Sequence, residues 1–100
     1  MQYNLIMLEK AKNDLDNIYQ YISQQLKNKT AAKNLKIAFK KAFQQIRAFP
    51  ESAEKYKEAY RKIPVKNYLI FYKIEETEII IHKIRYGYTD YNHDPYFNFK

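Results

Sequence analysis

Residues Tyr60 to Asp90 read YRKIPVKNYLIFYKIEETEIIIHKIRYGYTD, and no other stretch constrains the fold as tightly. Three apolar runs of strand length are divided by short polar breaks, Lys66-Asn67 and Glu75-Glu76-Thr77. Runs of this kind separated by about two polar residues predict an antiparallel meander. If Lys66-Asn67 and Glu76-Thr77 are two-residue hairpin turns, alternate residues share a face. One face then carries Ile63, Val65, Tyr68, Ile70, Tyr72, Ile74, Ile79 and Ile81. The other carries Lys62, Leu69, Phe71, Lys73, Ile80, His82 and Ile84. The first set is the more continuously apolar and is expected to pack on helices. Arg85 falls on the opposite parity from His82. A slip of one residue in either turn would exchange the two sets.

The preceding chain supplies the cover. Gln2 to Met7 predicts a short first strand. From Glu9 to about Lys27, apolar residues recur as Leu8, Ala11, Leu15, Ile18, Ile22 and Leu26, one stripe of a helix. Asn28-Lys29-Thr30 breaks it, with Thr30 the expected N-cap of a second helix running from Ala31 to about Ala48. Its stripe is Ala31, Leu35, Ala38, Phe39, Ala42, Ile46 and Phe49, with lysines 33, 36, 40 and 41 on other faces. Pro50 ends it. The short connection predicts an antiparallel helical hairpin, and Pro50 to Ala59 predicts a polar loop. The order is an N-terminal strand, a helical hairpin and a three-stranded antiparallel meander: an α+β fold with helices on one side of a mostly antiparallel sheet. One domain is expected over residues 1–90, followed by an aromatic tail, Tyr91 to Lys100.

Composition narrows the function. The chain has no cysteine, so disulfides and thiolate metal sites are excluded. No apolar run approaches a membrane span and no signal peptide is visible, so a cytoplasmic protein without a membrane partner is expected. A net charge of +7 suggests a polyanionic or acidic partner. Eleven tyrosines and six phenylalanines suit both interfaces and strands. The two histidines lack ligand spacing, and one glycine cannot build a phosphate loop, so no metal or other cofactor is expected. Acid–base cleavage of RNA needs a base, a proton donor and cations for the phosphate. The candidates are Lys62, Lys73, His82, Arg85, Tyr86 and Tyr88. Each has a structural alternative: a packed histidine, solvated edge lysines, tyrosines in a core.

Four segments carry a resemblance that covers nearly the whole chain. They are Ile46-Arg47-Ala48-Phe49-Pro50, Tyr60-Arg61-Lys62-Ile63, Asn67-Tyr68-Leu69-Ile70-Phe71-Tyr72, and Arg85-Tyr86-Gly87-Tyr88-Thr89-Asp90-Tyr91. In order and spacing the chain resembles the RelE/ParE superfamily of toxins from bacterial type II toxin–antitoxin modules, also called plasmid stabilisation proteins. The resemblance implies a toxin that arrests growth and is held inactive in a hetero-oligomer with a cognate antitoxin. RelE-like members cleave mRNA in the ribosomal A site, whereas ParE-like members block DNA gyrase.

The chain departs from the RelE pattern at Leu69, where such nucleases usually place an arginine. It departs again at Gly87-Tyr88-Thr89-Asp90, where related chains often read Gly-Arg-Arg-Asp. The run Arg85-Tyr86-Gly87-Tyr88 is distantly similar to the Arg-Tyr-His-Tyr ending of YoeB-like nucleases, with glycine for histidine. The sequence therefore leans towards a ParE-like inhibitor of a protein such as gyrase. The alternatives are a ribosome-dependent endoribonuclease using Arg85, His82 and Tyr88, and an inactive RNA- or protein-binding module of the same fold. Lys62, Lys73 and Tyr86 are the expected target- or RNA-binding residues.

Overall fold

The computed structural model describes residues 3–57 and 59–87. The Tyr91–Lys100 tail lies outside them. The elements are β1 (Asn4–Met7), α1 (Glu9–Gln20), a π-helical turn (Tyr21–Gln25), α2 (Lys29–Ala48), β2 (Glu54–Tyr56), β3 (Tyr60–Val65), β4 (Tyr68–Glu75) and β5 (Glu78–Tyr86). They build an α+β fold with one five-stranded sheet in the order β1-β5-β4-β3-β2. β1 pairs with β5 in parallel and the other pairs are antiparallel.

Both hairpin turns fall where the polar breaks predict. Val65 faces Tyr68 across Lys66-Asn67, and Glu75 faces Glu78 across Glu76-Thr77. Lys66 and Glu76 adopt φ of 56° and 54°, the left-handed geometry that matches the twist of the flanking strands. The expected inward face holds: Val65, Ile70, Tyr72, Ile79 and Ile81 lie in the core with Ala11, Leu35, Phe39 and Ile46 of the helices.

Three expectations change. The loop from Pro50 to Ala59 contains β2, an added edge strand antiparallel to β3. It is tied down by Arg61, whose guanidinium donates to the carbonyls of Glu51 and Ala53 at 3.1 and 2.8 Å. The buried Tyr72 hydroxyl donates to Pro50 O at 2.8 Å. Next, α2 is capped by Asn28, not Thr30: Asn28 Oδ1 accepts from Ala31 N at 2.9 Å, and Thr30 lies already inside the first turn. Finally, α1 passes into a wider turn, with Leu26 N donating to Tyr21 O. That i→i+5 spacing rotates Leu26 off the apolar stripe, leaving it 57% exposed.

A fourth difference reorders β5. The pairing shifts between Phe71↔Lys83 and Tyr72↔Ile81, so His82 is the extra residue of a β-bulge. Beyond it, strict alternation no longer holds. Ile84 pairs with Ile70 and joins the helix-side core at 2% exposure, contrary to its expected place on the other face.

Candidate functional site

The bulge and the β5 terminus distribute the sequence-predicted site residues over three places. Lys62, Lys73 and His82 share the sheet face turned away from the helices. Lys62 and Lys73 reach it by strand alternation, at positions paired with Phe71 and Tyr60. Lys73 Nζ lies 2.7 Å from Glu75 Oε1, a contact that raises its pKa, and 5.9 Å from the Tyr60 ring. His82 meets the same Tyr60 ring edge-on at 5.4 Å. Lys62 is one step further out, 3.8 Å from Glu54 and 5.5 Å from the Tyr56 ring.

His82 is only 7% exposed. Burial, and then the positive charges of Lys10, Lys83 and Lys73, push its pKa down to about 4. A buried imidazole with that affinity is neutral at pH 7 but a weak base, far from the match to ambient pH that general-base work favours. Beside it, Lys83 is 1% exposed. Nothing in the strand pattern marked this lysine as buried; the bulge puts it there.

Arg85 is engaged elsewhere. Its Nη1 lies 2.7 Å from Asp14 Oδ2, and the same oxygen accepts the Ile84 amide at 3.1 Å. β1 pairs with β5 only as far as Ile81. α1 then runs along that exposed edge, and Asp14 takes the amide that a longer β1 would have bonded. Asp14 escaped the sequence reading because it looks like one more polar residue on the outer face of a helix. The guanidinium thus joins α1 to the sheet, with both side chains 20% exposed.

Tyr86 lies on the helix side. It pairs with Tyr68, with ring centroids 5.6 Å apart. Gly87 closes the strand, its amide donating to Asn67 O at 2.7 Å. A Cβ there would stand 3.1 Å from that same oxygen, so the approach favours glycine. Tyr88 lies outside the described residues. The six expected residues therefore do not converge: the described five divide between a partly buried polar face, an ion pair and a cleft.

The cleft is the feature the sequence did not announce. It opens between the π-helical turn, the start of α2 and the ends of β4 and β5, and encloses about 840 Å³. Ile18, Ile22 and Leu35 form its floor, and Tyr68, Tyr86, Tyr21 and Leu26 its walls. Asn17, Asn34, Lys66 and Asn67 supply the polar groups. Tyr21, Leu26 and Tyr86 are 54%, 57% and 45% exposed. The Tyr68 phenol has its pKa raised by burial and then by the neighbouring Tyr86 and Tyr21, so three phenols converge here. Apolar walls with a few polar anchors bind well, and among the described residues no carboxylate, histidine or thiol lines the cleft. Among the described residues no cluster of three metal-binding side chains occurs, and no helix is long and apolar enough to cross a membrane.

The comparisons with known proteins agree with this architecture. A family model described as the ParE toxin of the type II toxin–antitoxin system parDE matches residues 5–91. Among solved structures, a chain from the chromosomal ParDE toxin–antitoxin system of P. aeruginosa superposes with a TM-score of 0.73 and 18% identity. That match covers 85% of this chain and 96% of the other. A chain of the RelBE2 toxin–antitoxin complex of Mycobacterium tuberculosis gives 0.58 and 14%, covering 86% and 99%. At these identities the likeness is one of fold. No curated protein sequence matches significantly.

Proposed function

We propose a function that proceeds from one premise: this chain belongs to the ParE toxin family of type II toxin–antitoxin systems. It acts in the cytoplasm as a growth-arresting toxin that inhibits a protein target of the DNA gyrase class. A cognate antitoxin neutralises it by forming a hetero-oligomer. Both structural neighbours come from toxin–antitoxin systems, which supports an antitoxin partner.

The observation that carries the choice of a protein target is the dispersal of the nucleolytic candidates. Leu69 sits on the face away from the helices, opposite Arg85 in the ladder, and leucine neither neutralises phosphate nor transfers a proton. Arg85 is held by Asp14, and His82 is buried with its pKa near 4. The exposed Tyr21, Leu26 and Tyr86 instead form the kind of aromatic and aliphatic surface that anchors protein partners. We assign the cleft as the protein-binding surface.

The test is induced expression without antitoxin, followed by mapping of mRNA 5′ ends. The reading expects growth arrest with mRNA left whole. New ribosome-dependent ends, lost on His82→Gln or Arg85→Gln without unfolding, would establish the endoribonuclease instead.

A further inference from the structure

We propose that α2 carries a second binding site, a cationic ridge for the phosphate backbone of nucleic acid, independent of which protein the toxin inhibits. Lys29, Lys33, Lys36, Lys40 and Arg47 are all exposed on this 20-residue helix. Their spacings of four, three, four and seven residues place them within an arc of about 60° and along about 27 Å of helix. The core stripe of Ala32, Leu35, Phe39, Ala42 and Ile46 faces elsewhere. No acidic residue occurs in the helix, and no carboxylate among the described residues pairs with any of the five.

Two local rules are broken to make this ridge. Like charges repel across the i,i+4 pairs Lys29/Lys33 and Lys36/Lys40 and the i,i+3 pair Lys33/Lys36. Lys29 and Lys33 also sit near the helix N-terminus, where the macrodipole favours anions. A surface lysine for solubility needs neither placement. A polyanion relieves both penalties, since it brings one negative charge per nucleotide along a line. Beside the ridge, Lys36, Lys40 and Arg47 border a groove of about 600 Å³ with Tyr19 and Phe43. Lys36 Nζ lies 5.2 Å from the Tyr19 ring. Aromatic rings next to a row of cations suit a nucleic-acid strand. An acidic protein fits less well, because protein interfaces are depleted in lysine and built around apolar anchors, and the ridge itself carries none.

The full chain is titrated with unrelated 20-nucleotide duplex DNA and single-stranded RNA at 50–200 mM salt. Five phosphate contacts predict a slope of log K against log salt near −4.5 for duplex and −3.5 for single strands. Duplex affinity then falls several hundredfold across that range. The triple variant K33Q/K36Q/K40Q should bring the duplex slope to about −1.8, and Arg47→Gln alone to about −3.6. The matched variant K12Q/K41Q/K55Q loses the same net charge off the ridge and should keep at least two-thirds of the slope. Circular dichroism confirms that each variant is folded. Absence of binding at 50 mM salt overturns the proposal. So does equal loss in the matched variant, which would show a net-charge effect only. Equal or tighter binding of poly-glutamate overturns it in favour of an acidic protein surface.

Discussion

Asp14 and His82 show how single residues set the chemistry of this sheet. One carboxylate oxygen of Asp14 serves both the Ile84 amide and the Arg85 guanidinium, so its loss strands a backbone donor and a cation together. Asp14→Ala is expected to cost roughly 2 kcal/mol, with a coupling of about 1 kcal/mol to Arg85→Ala in a double-mutant cycle. Urea unfolding measures both, and additive effects would mean the ion pair is not formed. At His82 the sign follows from burial. Above pH 6.5 the histidine is neutral in both folded and unfolded chains, and stability is independent of it. Between 6.5 and about 4 the unfolded chain takes up a proton that the folded chain refuses. Stability therefore falls as pH falls, by roughly 3 kcal/mol in all, and levels off below the folded value. His82→Gln should flatten that share of the urea-midpoint profile between pH 7 and 4. A His82 resonance titrating near 6.5 by NMR would contradict this.

Elements show where sequence reading succeeds and where it stops. Turn chemistry and period-2 alternation are local, so both hairpin turns and the inward face of β3 and β4 were legible. The β5 bulge was not. A bulge depends on the partner strand, and nothing in IIIHKIRY marks His82 as the extra residue, so Ile84 was misplaced and the burial of Lys83 was not foreseen. The parallel pairing of β1 with β5 is also a long-range decision. β2 was hidden because EKY between polar residues has no apolar pattern of its own. At the head of α2 the sequence pointed to Thr30 as the cap, and geometry gives that place to Asn28, two residues earlier. Asn28→Ala is expected to destabilise the protein by about 1 kcal/mol, against a few tenths for Thr30→Ala. Thermal unfolding of the pair checks the assignment, and the reverse order would return the cap to Thr30.

At the scale of the molecule, the same fold serves nucleases and inhibitors of proteins, so architecture alone does not choose. Membership of the ParE toxin family was foreshadowed by the order of short segments along the chain. The site was less legible. The residues flagged for chemistry were sound types in one continuous strand, but the bulge, the Asp14 contact and the sheet's two faces separate them. The cleft drew on residues remote in sequence, Tyr21 and Leu26 with Tyr68 and Tyr86, and on a π-helical turn that periodicity does not reveal. The proposed function has this toxin work through that cleft on a protein of the gyrase class. The most direct test titrates purified toxin into a DNA gyrase supercoiling assay beside the folded double variant L26D/Y86A. Inhibition by the wild-type chain, weakened at least tenfold in the variant, is expected. Unimpaired supercoiling at saturating wild-type toxin, or equal inhibition by the variant, would contradict it.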